Sequence, residues 1–218
     1  MSILAFSDLH FGLKASYSSQ LESGFVSSEE EALKAMAHIY NRASQDDIDI
    51  VFFGGDLTHT NHPTSLVVKQ ITDWVIQLDS LNKPVYFITG NHDLSNYSHS
   101  FDFITPLVTR GLVKNINIID SEVASIQYNG RTVFFVPFVW GEATSKYTSV
   151  EKSIKDILTS NSRGVCILSH FQESSCVSGS ESAMISKSTE KFDRDSISES
   201  SFEDVLLLFY ILPLLAPL

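Results

Sequence analysis

The stretch Val85-Tyr86-Phe87-Ile88-Thr89-Gly90-Asn91-His92-Asp93 decides how the chain is read. Val85 to Ile88 is a short apolar run that suits a buried strand, and it breaks at a glycine. Three side chains able to bind a cation or move a proton follow at once: the Asn91 carbonyl, the His92 imidazole and the Asp93 carboxylate. Taken alone, the stretch reads equally well as a strand closed by an Asx turn. The same design recurs twice upstream with different polar residues, and that recurrence tips the balance.

Upstream, Ile3 to Ser7 forms an apolar run that ends in Asp8-Leu9-His10-Phe11-Gly12. In extended chain an i, i+2 spacing puts Asp8 and His10 on one face, where both can reach one ion. Ile48 to Phe53 ends in Gly54-Gly55-Asp56-Leu57-Thr58-His59, with Asp56 and His59 projecting from the turn. Between these runs lie helical patterns. Ser28-Glu29-Glu30-Glu31 has the form of a capping box with Ser28 as N-cap, followed by Ala32, Met36, Ile39, Tyr40 and Ala43 at helical spacing. His38, within this helix, is structural or surface. Pro63 to Leu81 follows with Val67, Ile71, Trp74, Val75 and Leu78 as its core stripe. Strand–helix–strand–helix–strand predicts a parallel sheet with right-handed crossovers. All three polar strand ends then fall on one edge, which gathers Asp8, His10, Asp56, His59, Asn91 and His92.

The second half reads differently. Residues 95–111 contain a shorter helix with Phe101, Ile104 and Val108 inward. Ile116 to Ile119 and Val123 to Tyr128 read as strands. Asn129-Gly130 is a two-residue hairpin turn, and Arg131 to Val136 returns from it. This predicts antiparallel or mixed pairing in a second sheet, followed by a loop at Pro137 to Gly141. Val150, Ile154, Ile157 and Leu158 mark a further helix. Val165 to Leu168 is another apolar strand, ending in Ser169-His170. His170 is a core histidine or a ligand, and its place after an apolar strand favours the ligand. Gln172 to Ser201 is serine-rich and reads as a long surface loop. The apolar tail from Val205 to Leu218 is too short and too broken by Pro213 and Pro217 for a membrane helix, and its start suits a buried strand.

Composition narrows the function. With 218 residues and 43% hydrophobic content, the chain can bury one sizeable core. Its 26 acidic against 15 basic residues give a formal charge of -11, which argues against a broad basic face for nucleic acid. Bound divalent cations would invert that sign locally. The 2 cysteines, Cys166 and Cys176, form no CxxC pair, so no zinc knuckle is implied. The N-terminus has no signal-peptide pattern, which makes a reducing cytoplasm the expected location.

Asp8-x-His10, Gly55-Asp56-x-x-His59, Gly90-Asn91-His92-Asp93 and His170, in that order and each at a strand end, resemble the calcineurin-like metallophosphoesterases. Asp8-Leu9-His10-Phe11-Gly12 and Gly55-Asp56-Leu57-Thr58-His59 resemble most the SbcD-type nucleases of double-strand-break repair. The phosphoprotein phosphatase branch would continue its Gly-Asp into Asp-Arg-Gly, whereas Leu-Thr-His-Thr stands here. The resemblance covers roughly Ser2 to Ala183. It implies a four-layer α/β/β/α sandwich of two mixed sheets flanked by helices. It also implies two divalent metal ions, manganese first and iron or zinc next. Asp56 would bridge the ions, Asp8 and His10 would serve the first, and Asn91 and His170 the second. His92 would act on the leaving oxygen, His59 would position the phosphate, and Asp93 would orient its neighbours. DNA is the implied substrate, with an SbcC-type ATPase as partner, a homodimer as assembly, and no membrane. A small-molecule phosphodiesterase or phosphatase of the same fold is the alternative, and a catalytically impaired remnant a further one. The family's Gly-His-x-His motif is absent: no histidine follows His170, and Phe209-Tyr210-Ile211-Leu212-Pro213 stands where the motif is due. The expectation is a phosphoesterase domain over residues 1–204 and a truncated or frame-shifted tail over 205–218.

Overall fold

The structure is a computed structural model, and it describes residues 2–14, 18–60, 62–94, 100–138, 153–154, 156–157, 159–160, 165–170 and 206–209. The expected loops at 139–141 and 172–201, Val150, and the tail beyond Phe209 lie outside the described residues, as does the Leu158 side chain. The chain divides into two compact units, the first running to Ile118 and the second from Ile119.

The first unit holds a four-stranded sheet in the order β1 (Ser2–Phe6), β2 (Ile48–Phe53), β3 (Val85–Ile88), β4 (Ile116–Ile119). β1 pairs with β2 and β2 with β3, both in parallel, so their C-terminal ends lie along one edge as the alternation predicts. The register aligns Phe6 with Phe53 and Phe53 with Phe87. These three rings pack as neighbours in a tilted row, with centroids 5.4 and 5.3 Å apart. Trp74 covers two of them, its ring 6.0 Å from Phe6 and 6.3 Å from Phe87. Burying each such ring contributes roughly 1.5–3 kcal/mol. The aromatic row therefore forms a rigid floor one to three residues before the polar loops begin.

Two long helices pack this sheet. α2 (Ser65–Ser80) starts at the N-cap Thr64, whose hydroxyl accepts from the Val67 N–H, and it buries Val67, Ile71, Trp74, Val75 and Leu78, the predicted stripe. The Trp74 indole donates to the Met36 carbonyl at 3.0 Å and so ties α2 to α1 (Ser27–Ala43). At α1 the expected capping box shifts. Val26 is the N-cap, and the glutamate that accepts its N–H, at 2.9 Å, is Glu29 rather than Glu31. Ser28, expected as the cap, instead donates its hydroxyl to the Leu13 carbonyl. The short α3 (Thr105–Thr109) follows fully buried Phe101 and Ile104. β4, read from the sequence among the strands of the second half, joins the first sheet beside β3.

The second unit holds the sheet β5 (Ala124–Tyr128), β6 (Arg131–Val136), β7 (Val165–Ser169), β8 (Leu206–Phe209), in that order. β5 and β6 are antiparallel about the Asn129-Gly130 turn, where both residues have positive φ (51° and 74°), as a two-residue hairpin of this type requires. β6–β7 and β7–β8 are parallel, so the sheet is mixed. Residues 153–154, 156–157 and 159–160 are helical, with Ile154 and Ile157 buried. The start of the apolar tail is thus a strand. Among the described residues, no helix is long and apolar enough to cross a membrane.

Candidate metal centre

Past the ends of β1 and β2 the two chains keep running side by side. Asp8 N–H donates to the Gly55 carbonyl, His10 N–H to Asp56 and Phe11 N–H to Leu57, each at 3.0 Å, and His59 N–H returns to the Phe11 carbonyl at 3.1 Å. This extension carries the polar side chains to their places. Asp8, His10 and Asp56 all have left-handed backbone, with φ of 58°, 43° and 59°. That conformation is uncommon outside glycine and turns their side chains away from the pleat a regular strand would impose.

The third loop closes on the second. A side chain at Gly90 would place its Cβ 2.2 Å from Asp56 Oδ1 and 2.6 Å from the Asp56 backbone nitrogen, so only glycine fits here. Asp93, fully buried, accepts from the N–H groups of Asp56 (2.7 Å), Leu57 (3.0 Å) and Gly90 (2.8 Å). The His92 N–H donates to Asp56 Oδ1 at 2.9 Å. The other oxygen, Oδ2, lies 3.7 Å from His10 Nε2, and Asp8 Oδ1 lies 3.6 Å from the same nitrogen. Asp56 therefore presents its two oxygens to different surroundings.

The result is a tight cluster at one edge of the first sheet. Ligand atoms of Asp8, His10 and Asp56 all lie within 4.8 Å of one another, and so do those of His10, His59 and His92. Asp8, His10 and Asp56 are buried, while His59, Asn91 and His92 are half-buried. Two carboxylates this close and this secluded repel unless positive charge lies among them, and oxygen donors beside imidazole are a donor set for divalent ions. The residues present thus fit a metal. Asn91 sits in the same turn as His92 and Asp93. His170, also buried, follows β7 in the second unit, where the Ser169 hydroxyl donates to the Val136 carbonyl at 2.8 Å. Burial pushes the Cys166 thiol on that strand up from its ordinary value.

Three contributors carry no signal in the sequence. Ser7 donates its hydroxyl to the Asp8 carboxylate. Thr58 and Ser100 share a hydrogen bond of 2.7 Å, and Ser100 N–H donates to the Asp93 carbonyl at 2.7 Å, so the segment after the third loop is pinned to the second. Ser and Thr are too common at strand ends and turns for these roles to be read from residue type.

The family model described as calcineurin-like phosphoesterase matches residues 1–196. The DNA double-strand break repair protein Mre11 of Thermoplasma acidophilum is 28% identical over 88 residues, which is 40% of this chain and 22% of that protein. The match thus spans about a fifth of the relative's length. Among solved structures, a dimetal phosphatase from Danio rerio superposes with a TM-score of 0.50 at 11% identity, covering 84% of this chain and 76% of that one, which is a likeness of fold. With the family model spanning most of its length, and a carboxylate–imidazole cluster where the strand ends meet, the chain belongs to the calcineurin-like phosphoesterase family.

Proposed function

We propose that the chain is a divalent-metal-dependent phosphodiesterase that cuts DNA, as the nuclease subunit of an SbcCD-like assembly with an SbcC-type ATPase and a second copy of itself. The observation that carries the phosphodiester reading is the meeting of Asp8, His10 and Asp56 within 4.8 Å at the strand ends. DNA is favoured among phosphodiesters by the 88-residue likeness to a double-strand break repair protein.

Divalent ions, when bound, supply the positive charge that polarises a phosphoryl oxygen and acidifies water. Asp56 offers two oxygens in different directions and so can serve two cations. Asp8 and His10 complete one donor set, and the Asn91 carbonyl contributes to the other. Mixed oxygen and nitrogen donors suit manganese. His59, half-buried beside His10 and His92, orients the phosphate. As the oxygen of water bonds to phosphorus and the phosphorus–oxygen ester bond breaks, His92 gives its proton to the leaving oxygen, and the proton released by water replaces it.

A second reading, a small-molecule phosphodiesterase or phosphatase, is favoured by the net charge of -11, which is the wrong sign for a DNA footprint. One experiment separates them. The metal-stripped chain receives manganese and either linear duplex DNA or an aryl phosphodiester. DNA cleavage that drops about a hundredfold or more in Asp56→Asn is expected, since the amide cannot neutralise two cations. Turnover of the aryl ester alone points to the second reading. Near-wild-type turnover by Asp56→Asn sinks both.

A further inference from the structure

We propose that His10, His59 and His92 form a second, all-imidazole site that takes zinc, and that it competes through His10 with the Asp8–His10–Asp56 set. The three rings come from the three loops that follow β1, β2 and β3. Their centroids lie 4.9 Å apart for His10 and His92, and 5.8 Å apart for His10 and His59 and for His59 and His92. Their ligand atoms are all within 4.8 Å of one another. Zinc–nitrogen bonds of about 2.0–2.1 Å require these nitrogens to close by on the order of 1 Å, which side-chain rotation supplies. The backbone beneath holds still: His10 N–H is bonded to Asp56 O at 3.0 Å, His59 N–H to Phe11 O at 3.1 Å, and His92 N–H to Asp56 Oδ1 at 2.9 Å. His59 and His92 are half-buried, so an ion can enter from their side.

The two donor sets differ in chemistry. Two carboxylates and one imidazole suit manganese and magnesium, whereas three neutral imidazoles suit zinc, copper and nickel. Three histidines also leave a fourth tetrahedral position open. His10 belongs to both sets, and its Nε2 already faces Asp8 and Asp56 at 3.6 and 3.7 Å. A nitrogen lone pair serves one ion, so filling the imidazole set takes His10 from the carboxylate set. Zinc would also withdraw His59 and His92 from phosphate and leaving oxygen. The binding claim stands apart from the phosphodiesterase reading; only the inhibition that follows from it rests on that reading.

The test uses the metal-stripped full chain, with zinc and manganese titrated separately by calorimetry and manganese release by added zinc followed by electron paramagnetic resonance. No substrate is needed, so failure here is distinct from failure of the proposed activity. His59→Ala should weaken zinc about a hundredfold and leave manganese within about threefold, and Asp8→Asn should do the reverse, since removing a ligand costs at least what removing its supporting partner does. Zinc should release manganese from the wild type at about a hundredfold lower concentration than from His59→Ala, where it can act only by direct displacement from the carboxylate set. Unchanged zinc affinity in His59→Ala overturns the proposal. So does an equal loss of zinc in Asp8→Asn, which places zinc in the carboxylate set. If His59→Ala loses both ions, His92→Gln decides: loss of zinc alone supports the site, and loss of both overturns it.

Discussion

Asp8, His10 and Asp56 share a left-handed backbone that costs on the order of 1–3 kcal/mol for each non-glycine residue. Something nearby must hold it: at Asp8 and His10 it is the N–H bonds to the Gly55 and Asp56 carbonyls, and at Asp56 the Asp93 carboxylate, which takes three N–H groups, two of them from Asp56 and Leu57. In Asp93→Asn an NH2 group would confront those donors. Thermal or chemical unfolding should show a loss of about 2 kcal/mol, the scale for a lost charge-assisted bond at a buried site. Manganese should bind more weakly in the same variant; full stability with weakened manganese would show that Asp93 acts on the ligands without holding the fold. Gly90→Ala attacks the same place sterically, because its Cβ would fall 2.6 Å from backbone nitrogen, which cannot swing aside. A destabilisation of about 1–3 kcal/mol with weakened metal binding is expected, and a variant with normal affinity would mean that the third loop can move away from Asp56 without disturbing the ligands. The ligand types were legible in the sequence as polar residues after apolar runs. The backbone sign was not, because aspartate and histidine, unlike glycine, do not announce positive φ.

At the scale of elements, what could be read depended on how strong the period was. α2 repeats its apolar residues over four turns, and all five stripe residues are buried. α1 shows why caps are harder. Three successive glutamates follow a Ser-Ser pair, so several registers satisfy the same pattern, and tertiary demand chooses among them. The Ser28 hydroxyl is drawn to Leu13, and the helix begins two residues earlier, with Glu29 accepting the Val26 N–H. β4 has only four residues and no pattern that assigns it to a sheet. Its place beside β3 is set by contacts distant in sequence: Val85 N–H donates to the Asn115 carbonyl at 2.8 Å, and one oxygen of Asp79, at the end of α2, takes the N–H groups of both Lys114 and Asn115 at 2.7 Å. Asp79→Ala removes both hydrogen bonds at once. Chemical denaturation should show about 1–3 kcal/mol less stability, with amide exchange quickening first around Lys114 to Ile116. Unchanged exchange there would mean that β4 is held by its strand pairing alone.

At the scale of the whole molecule, charge and proposed substrate pull against each other. A formal charge of -11 repels a polyanion, and nothing in the composition supplies the counterion release that drives ordinary DNA binding. Among the described residues, Glu22, Glu31, Asp46, Asp47, Asp73 and Asp102 are exposed, and salt screens such charges beyond about 8 Å at physiological ionic strength. The buried pair Asp8 and Asp56 is different, because its charge is concentrated in the cluster proposed above to meet the phosphate. If the chain acts on DNA, its affinity must come chiefly from cations held at that pair, so DNA binding should depend on the metal far more than on salt. The expected outcome is retention of a phosphorothioate duplex, which resists cleavage, in manganese but not in EDTA, with Asp8→Asn and Asp56→Asn behaving in manganese as the wild type does in EDTA. A loss of about tenfold or more on chelation is the scale set by removing a desolvated charge pair. Equal retention with and without metal would place the DNA contacts elsewhere and break the link between the cluster and the nucleic acid. Retention in neither condition, with a small aryl phosphodiester still turned over, would move the substrate to a small molecule while leaving the metal centre as described.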